Sequence, residues 1–153
     1  MLRFFALKNW RGHFKHDVAD FLTEYMEAIS DPDNTELFDY PEEKKNFERT
    51  FSILARVLGD KAFSRANTKT ENELIRAFGI YHYEAFTIGI QPLLDAFDVE
   101  TQDGIVKARE IMMLIKFDPV FIAHTTGGGK NSPGPLNDRV GFVKEKLVGA
   151  YDS

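Results

Sequence analysis

Apolar side chains in this chain recur every three or four residues, and that spacing constrains its fold more than any other feature. Phe14, Val18, Phe21, Leu22, Tyr25, Met26 and Ile29 fall on one face of an α-helix. Asp17 suits an N-cap, because a short carboxylate accepts an orphan N–H of the first turn. The spacing predicts a helix from about Lys15 to Ile29.

The same reasoning extends along the chain. Leu2, Phe4, Phe5 and Leu7 predict a short buried N-terminal helix, followed by a link from Trp10 to Phe14. Ser30 to Tyr40 is rich in Asp, Asn and Pro and reads as an exposed loop. Pro41 fits the first turn of a helix, where its missing N–H costs nothing. Phe47, Phe51, Leu54 and Leu58 form that helix's stripe, with Ile53 and Val57 widening it, and Gly59 is its stop. Lys61 to Lys69 is a connector that tucks Phe63 into the core.

Thr70 and Glu73 match a capping box, which predicts a helix passing through Leu74, Ile75, Phe78, Tyr81 and Ala85. Ile80, Phe86, Ile88 and Ile90 make this segment apolar on more than one side, as expected of a central helix. Pro92 is expected to kink or divide it. Ile105, Ala108, Ile111, Met112 and Ile115 mark a helix ending near Phe117, because Pro119 disfavours helical geometry at Asp118. A short helix then runs through Ala123. Thr125 to Pro135 reads as a Gly-, Ser- and Pro-rich loop, and Leu136, Val140, Val143 and Leu147 give a final amphipathic helix. There is no convincing strand pattern. The expected fold is all-α, a single domain over residues 1–153 built as an irregular bundle of about six or seven helices.

Fourteen phenylalanines and five tyrosines among 153 residues supply core material, since each aromatic ring buries a large area. The formal net charge of −5 argues against adhesion to nucleic acid or anionic membrane through bulk charge alone. Acid is concentrated from Asp17 to Glu48, whereas Lys130 to Lys146 is mildly basic. The absence of cysteine excludes disulfides, thiolate catalysis and thiolate metal sites. No run approaches the roughly 20 apolar residues that span a bilayer, and the N-terminus lacks a signal-peptide pattern. The cytoplasm is the expected location, with no membrane partner.

The run Gly127-Gly128-Gly129-Lys130 invites comparison with a phosphate-binding P-loop. That motif needs glycine where His124 stands and Ser or Thr where Asn131 stands, so the match fails. A looser anion site is expected instead. Backbone N–H groups of the loop, with Lys130 and Arg139, would hold an anion near the N-terminus of the last helix. Thr126, Gly127, Gly128, Lys130, Asn131 and Arg139 are the candidate contacts to nucleotide, nucleic acid or another anion.

Other polar clusters have plainer readings. His16 and Asp20 are four apart and would share a helix face with His13 and Asp17 nearby, but a closed metal site wants three or four ligands, and a charged surface patch is the simpler account. His82 and Glu84 are two apart in the most apolar helix and point in different directions. They read as hydrogen-bonded core or rim residues rather than an acid–base pair. The aromatic segments Phe4-Phe5 and Tyr81 to Phe86 could stack bases, but their helical spacing favours packing. No catalytic set, cofactor site or metal site is assigned.

Four ordered segments carry a family resemblance: Leu2-Arg3-Phe4-Phe5-Ala6-Leu7; Phe21-Leu22 with Tyr25-Met26; Phe47 leading through Val57-Leu58-Gly59-Asp60-Lys61-Ala62-Phe63; and Thr126-Gly127-Gly128-Gly129-Lys130-Asn131-Ser132 ending in Asp138-Arg139-Val140. Together they resemble the C-terminal helical part of the GmrSD-type, ParB-like restriction family of phage-defence proteins. The resemblance implies an N-terminal ParB/sulfiredoxin-like domain with an Asp-Gly-Gln-Gln-Arg motif, linked to nucleotide binding and hydrolysis. It also implies a His-Asn-His-type nuclease, either in the same chain or as a partner. Neither motif occurs in this sequence. The expectation is therefore a non-catalytic helical module, beginning inside the helical region, whose partners are the missing ParB-like domain or a nuclease, and DNA.

The alternative is a helical protein–protein interaction domain with no nucleic-acid role. In that case the Leu2 to Leu7 segment would be an exposed apolar patch able to support a homo-oligomer.

Overall fold

The computed structural model describes residues 1–70 and 72–153, and among these it is an all-α assembly with one very small sheet. The helices are α1 (Leu2–Trp10), α2 (Val18–Ser30), α3 (Tyr40–Leu58), α4 (Ile80–Gly89), α5 (Gln102–Phe117), α6 (Pro119–Thr125) and α7 (Pro133–Tyr151). Short 3₁₀ turns at Arg11–His13, Pro32–Leu37, Gly59–Lys61 and Gln91–Leu93 connect several of them. No helix among the described residues is long and apolar enough to cross a membrane.

The helix boundaries follow local chemistry. The Asp17 carboxylate accepts from the Asp20 N–H at 2.9 Å and starts α2. Asp39 does the same for Glu42 at 3.1 Å, with Pro41 in the first turn of α3. Gly59 ends α3 at φ +60°, a conformation that costs glycine little. Thr101 caps α5. Asp118 starts α6 by accepting from the Val120 N–H at 2.9 Å.

The predicted helix from Thr70 through Ala85 is not formed as such; Glu71, which it would have contained, lies outside the described residues. Two antiparallel strands stand in the region instead, β1 (Arg65–Ala66) and β2 (Leu74–Ile75), pairing Arg65 with Ile75 and Ala66 with Leu74. The side-chain oxygen of Asn67 accepts from the Lys69 N–H at 3.0 Å, a local turn that competes with helix. The Asn67 N–H donates to the Glu73 carbonyl at 2.8 Å and closes the hairpin. The Thr70 hydroxyl still donates to the Glu73 carboxylate at 2.9 Å, but across a loop rather than at a helix start. The helix begins ten residues later, at Ile80, and Phe78 is left 65% exposed. Pro92 falls in the 3₁₀ turn after α4, so the predicted break there is a true end.

Helix α4 lies between two apolar clusters. Ala85 and Phe86, with Ile90 just beyond the helix, join Leu54, Val57, Met112, Phe121 and Val143 on one side. Tyr83 and Ile88 join Phe4, Leu7, Phe21, Tyr25 and Val140 on the other. Every residue from His82 to Gly89 is buried, which explains why this segment lacks a polar stripe. Gly89 permits the close crossing of α4 and α7: a Cβ there would lie 2.8 Å from Val143 Cβ.

The second cluster is dense in aromatic rings. Phe4 meets Phe47 edge-on with centroids 5.6 Å apart, and Phe47 meets Phe51 at 4.5 Å. Phe4, Ala6 and Leu7 are buried beneath α2 and α4, with Leu2 and Phe5 packed partly against the same cluster. The Leu2 to Leu7 segment is therefore a core element and not an exposed patch. Its apolar density is satisfied within the chain.

Candidate functional site

The glycine-rich loop leaves α6 at Thr126 and enters α7 at Pro133. Thr125 and Thr126 hold the end of α6, their hydroxyls donating to the carbonyls of Phe121 at 2.9 Å and Ile122 at 2.7 Å. Gly127 and Gly129 adopt φ of +88° and +73°, so the loop turns twice through backbone space that side chains disfavour. Nothing lies within 4 Å of where a Cβ would stand at Gly127, Gly128 or Gly129. These three glycines and Asn131 are exposed, while Thr126 and Lys130 are half-buried.

Arg139 differs from the rest of the predicted set. It is 1% exposed and lies beneath the loop. Its Nη1 donates to the Lys130 carbonyl at 3.0 Å. Its Nε donates to Glu84 Oε2 at 2.9 Å, and its Nη2 donates to the same oxygen. The Tyr81 ring covers the guanidinium at 4.4 Å from its centroid. The other carboxylate oxygen of Glu84 accepts from Arg3, through Nε at 2.9 Å and through Nη2.

One buried carboxylate therefore carries two arginines and joins α1, α4, α7 and the loop. Two guanidiniums share this one carboxylate, so the site carries an excess positive charge. Arg3, Glu84, Asn131 and Arg139 border a narrow recess of about 10 Å³, room for roughly one water molecule. The six predicted contacts thus divide into exposed Gly127, Gly128 and Asn131, half-buried Thr126 and Lys130, and a buried brace, Arg139.

His13, His16, Asp17 and Asp20 border one small recess of about 70 Å³ at the start of α2. His13 stacks on Trp10 with centroids 4.1 Å apart, and His16 precedes the first residue of the helix. The i, i+4 geometry expected of His16 and Asp20 is therefore absent. Asp17 is engaged as the N-cap. Among the described residues no three His, Asp or Glu side chains are grouped to hold a metal ion.

His82 and Glu84 face opposite sides of α4, as their spacing implied. Glu84 meets the arginines, and His82 meets Lys116, which is fully buried in α5. Lys116 Nζ donates to the carbonyls of Ala62 at 2.9 Å and Ser64 at 2.8 Å, and it sits 4.5 Å from the centroid of Phe86. Burial lowers the Lys116 pKa to about 7. Burial, reinforced by the positive charges of Lys116 and Arg65, lowers His82 to about 3. The imidazole is therefore neutral, and its Nδ1 can accept from the lysine.

Sequence reasoning did not single out Lys116, Arg3 or the pairing of Glu84 with two arginines. For Lys116 a signal existed, because it continues the buried spacing Ala108, Met112 in steps of four. A charge on a buried stripe marks a partner elsewhere in the fold. For Glu84 the partners are 55 and 81 residues away in sequence, and no local pattern identifies them.

No protein-family model, no curated protein and no solved structure matches this chain.

Proposed function

We propose that this chain is a helical module that acts by contact, presenting the Gly127 to Asn131 stretch to an anionic partner, nucleic acid or nucleotide. Its place would be beside the nucleotide-dependent domain or nuclease that the family resemblance implies. The observation that carries the proposal is the brace under an otherwise open loop. Arg139 fixes the Lys130 carbonyl at 3.0 Å while the glycines above it remain exposed. A loop held from below does not have to be ordered on binding.

The excess positive charge of Arg3 and Arg139 over Glu84 supports an anion. The net charge of −5 supports a local contact over a broad electrostatic footprint. Neutralising one or two phosphates gives a shallow salt dependence, with a log–log slope of roughly −1 to −2.

Fluorescence anisotropy of labelled DNA and of a labelled nucleoside triphosphate tests the proposal. The intact chain and Lys130→Ala are compared across a salt series. Weaker binding by the variant with a shallow salt slope is the expected result. Equal signals from both proteins would remove the loop from any binding role.

A further inference from the structure

A cavity larger than the recess beside Arg139 lies elsewhere in the molecule and shares no residue with the glycine loop. It is a cleft of about 580 Å³ at the C-terminal end of α3, walled by Arg56, Val57, Lys61, Leu74, Arg109 and Met113. That volume is in the range that holds a drug-sized ligand. Elements from three parts of the sequence meet there: the Gly59 turn, β2 and the middle of α5.

The wall is chemically divided. Arg56, Lys61 and Arg109 face a single carboxylate among the described lining residues, Glu73. Some of this positive charge answers the end of α3, where Arg109 Nε donates to the Val57 carbonyl at 2.7 Å. A helix C-terminus carries only about half a negative charge, so three cations exceed what it needs. The Nε bond also fixes the guanidinium, and among the described residues its two terminal nitrogens make no hydrogen bond. Arg56 donates to the Val99 carbonyl at 2.9 Å and pairs with Glu100 at 3.2 Å, a contact between largely exposed side chains. Exposed pairs of this kind contribute little and yield readily to a better anion.

The other end is mostly apolar. Met113 and Asn72 also border an adjoining groove of about 400 Å³ with Leu114, Phe117 and Glu110, the one carboxylate among its described lining residues. Leu114 is 74% exposed although it belongs to a helix with a well-packed opposite face. Cations at one end, and exposed Leu114 beside half-buried Met113 and Phe117 at the other, make one continuous, amphipathic trough along α5.

We infer that this trough is a binding site for a small organic anion whose phosphate or carboxylate is held by Arg56, Lys61 and Arg109 and whose flat apolar body lies along Met113, Leu114 and Phe117. Arginine forks match two oxygens of such a head group, and the apolar body covers side chains that are otherwise exposed to water. The site is separate from the glycine loop and does not depend on it.

Calorimetric titration of the full chain with 2-naphthyl phosphate tests the inference, with inorganic phosphate and 2-naphthol as the two halves of the probe. Saturable binding of the whole probe is expected, at least about tenfold tighter than either half. Arg109→Gln should weaken it by about tenfold, the equivalent of one lost charge-assisted contact. Because Arg109 also braces α3, the double variant Arg56→Gln/Lys61→Gln, at exposed positions, must show the same loss. Leu114→Glu should weaken the probe without changing the response to inorganic phosphate, and Lys130→Ala should leave probe binding unchanged. The inference is overturned if the probe does not saturate, if naphthol binds as tightly as its phosphate, or if the double variant binds normally.

Discussion

Lys116 Nζ lies 3.2 Å from His82 Nδ1, in the interior of the protein, with the Ala62 and Ser64 carbonyls completing three acceptors around the amine. Both residues are bases that burial makes harder to protonate. His82 moves from 6.5 to about 3 and Lys116 from 10.5 to about 7. The unfolded chain therefore binds more protons than the folded chain across both intervals, and stability must rise with pH through each of them. The contribution of His82 is complete above about 6.5 and is lost as pH falls toward about 3. Urea midpoints measured through this window should fall with acid. His82→Gln, which keeps an acceptor for Lys116 but does not titrate, should flatten that limb. An unchanged slope in the variant would exclude His82 as its origin.

Lys116 also ties α5 to the connector between α3 and β1. Replacing it with Met keeps much of the volume but leaves two backbone carbonyls and an imidazole without their donor. Unsatisfied buried acceptors cost about 1–3 kcal/mol each. Lys116→Met should therefore destabilise the fold by about 3 kcal/mol or more, measured by equilibrium denaturation, even though a methionine is far less costly to desolvate than an ammonium.

The ionic cluster around Glu84 yields a prediction of opposite character for single and concerted changes. Glu84→Gln leaves two guanidiniums facing a neutral amide, and breaking a buried pair in this way costs about 3–5 kcal/mol. The concerted replacement Arg3→Met/Glu84→Leu/Arg139→Met removes all the charge together and should cost less than the single change. The concerted variant also removes Arg139 and with it the brace on the Lys130 carbonyl, whereas Glu84→Gln keeps that donor. Hydrogen exchange of the amides from Gly127 to Asn131 should therefore accelerate more in the concerted variant than in Glu84→Gln.

Gly89 decides how closely α4 approaches α7. An added Cβ would lie 2.8 Å from both Val143 Cβ and Val143 Cγ1, and 3.2 Å from the Val140 carbonyl. Alanine would gain about 1 kcal/mol of helix propensity, but forced overpacking costs about 1–3 kcal/mol. Gly89→Ala should thus be destabilising on balance. Val143→Ala in the same background should recover part of the loss, a coupling that a double-mutant cycle of melting curves would measure.

By itself the sequence determined the helical character of the chain and most of its helix ends. The ends of α2, α3, α5 and α6 could be read from Asp17, Gly59, Phe117 and Asp118 because capping and i, i+3/i+4 packing involve neighbours within one or two turns. The glycine loop was legible for the same local reason. The segment from Thr70 to Gly79 was misread because a capping-box pattern and an apolar period fit helix, while the turn at Asn67 and pairing with Arg65 and Ala66 favour a hairpin. Only the tertiary structure decided that Arg139 braces the loop from below, that Glu84 serves two arginines, that Lys116 meets His82, and that Arg56, Lys61 and Arg109 share a cleft. Most of these relationships join residues tens of positions apart. The packing of α4 between two cores brings Glu84 to its arginines and His82 to Lys116, and the packing of α5 on α3 sets Arg109 beside Arg56 and Lys61.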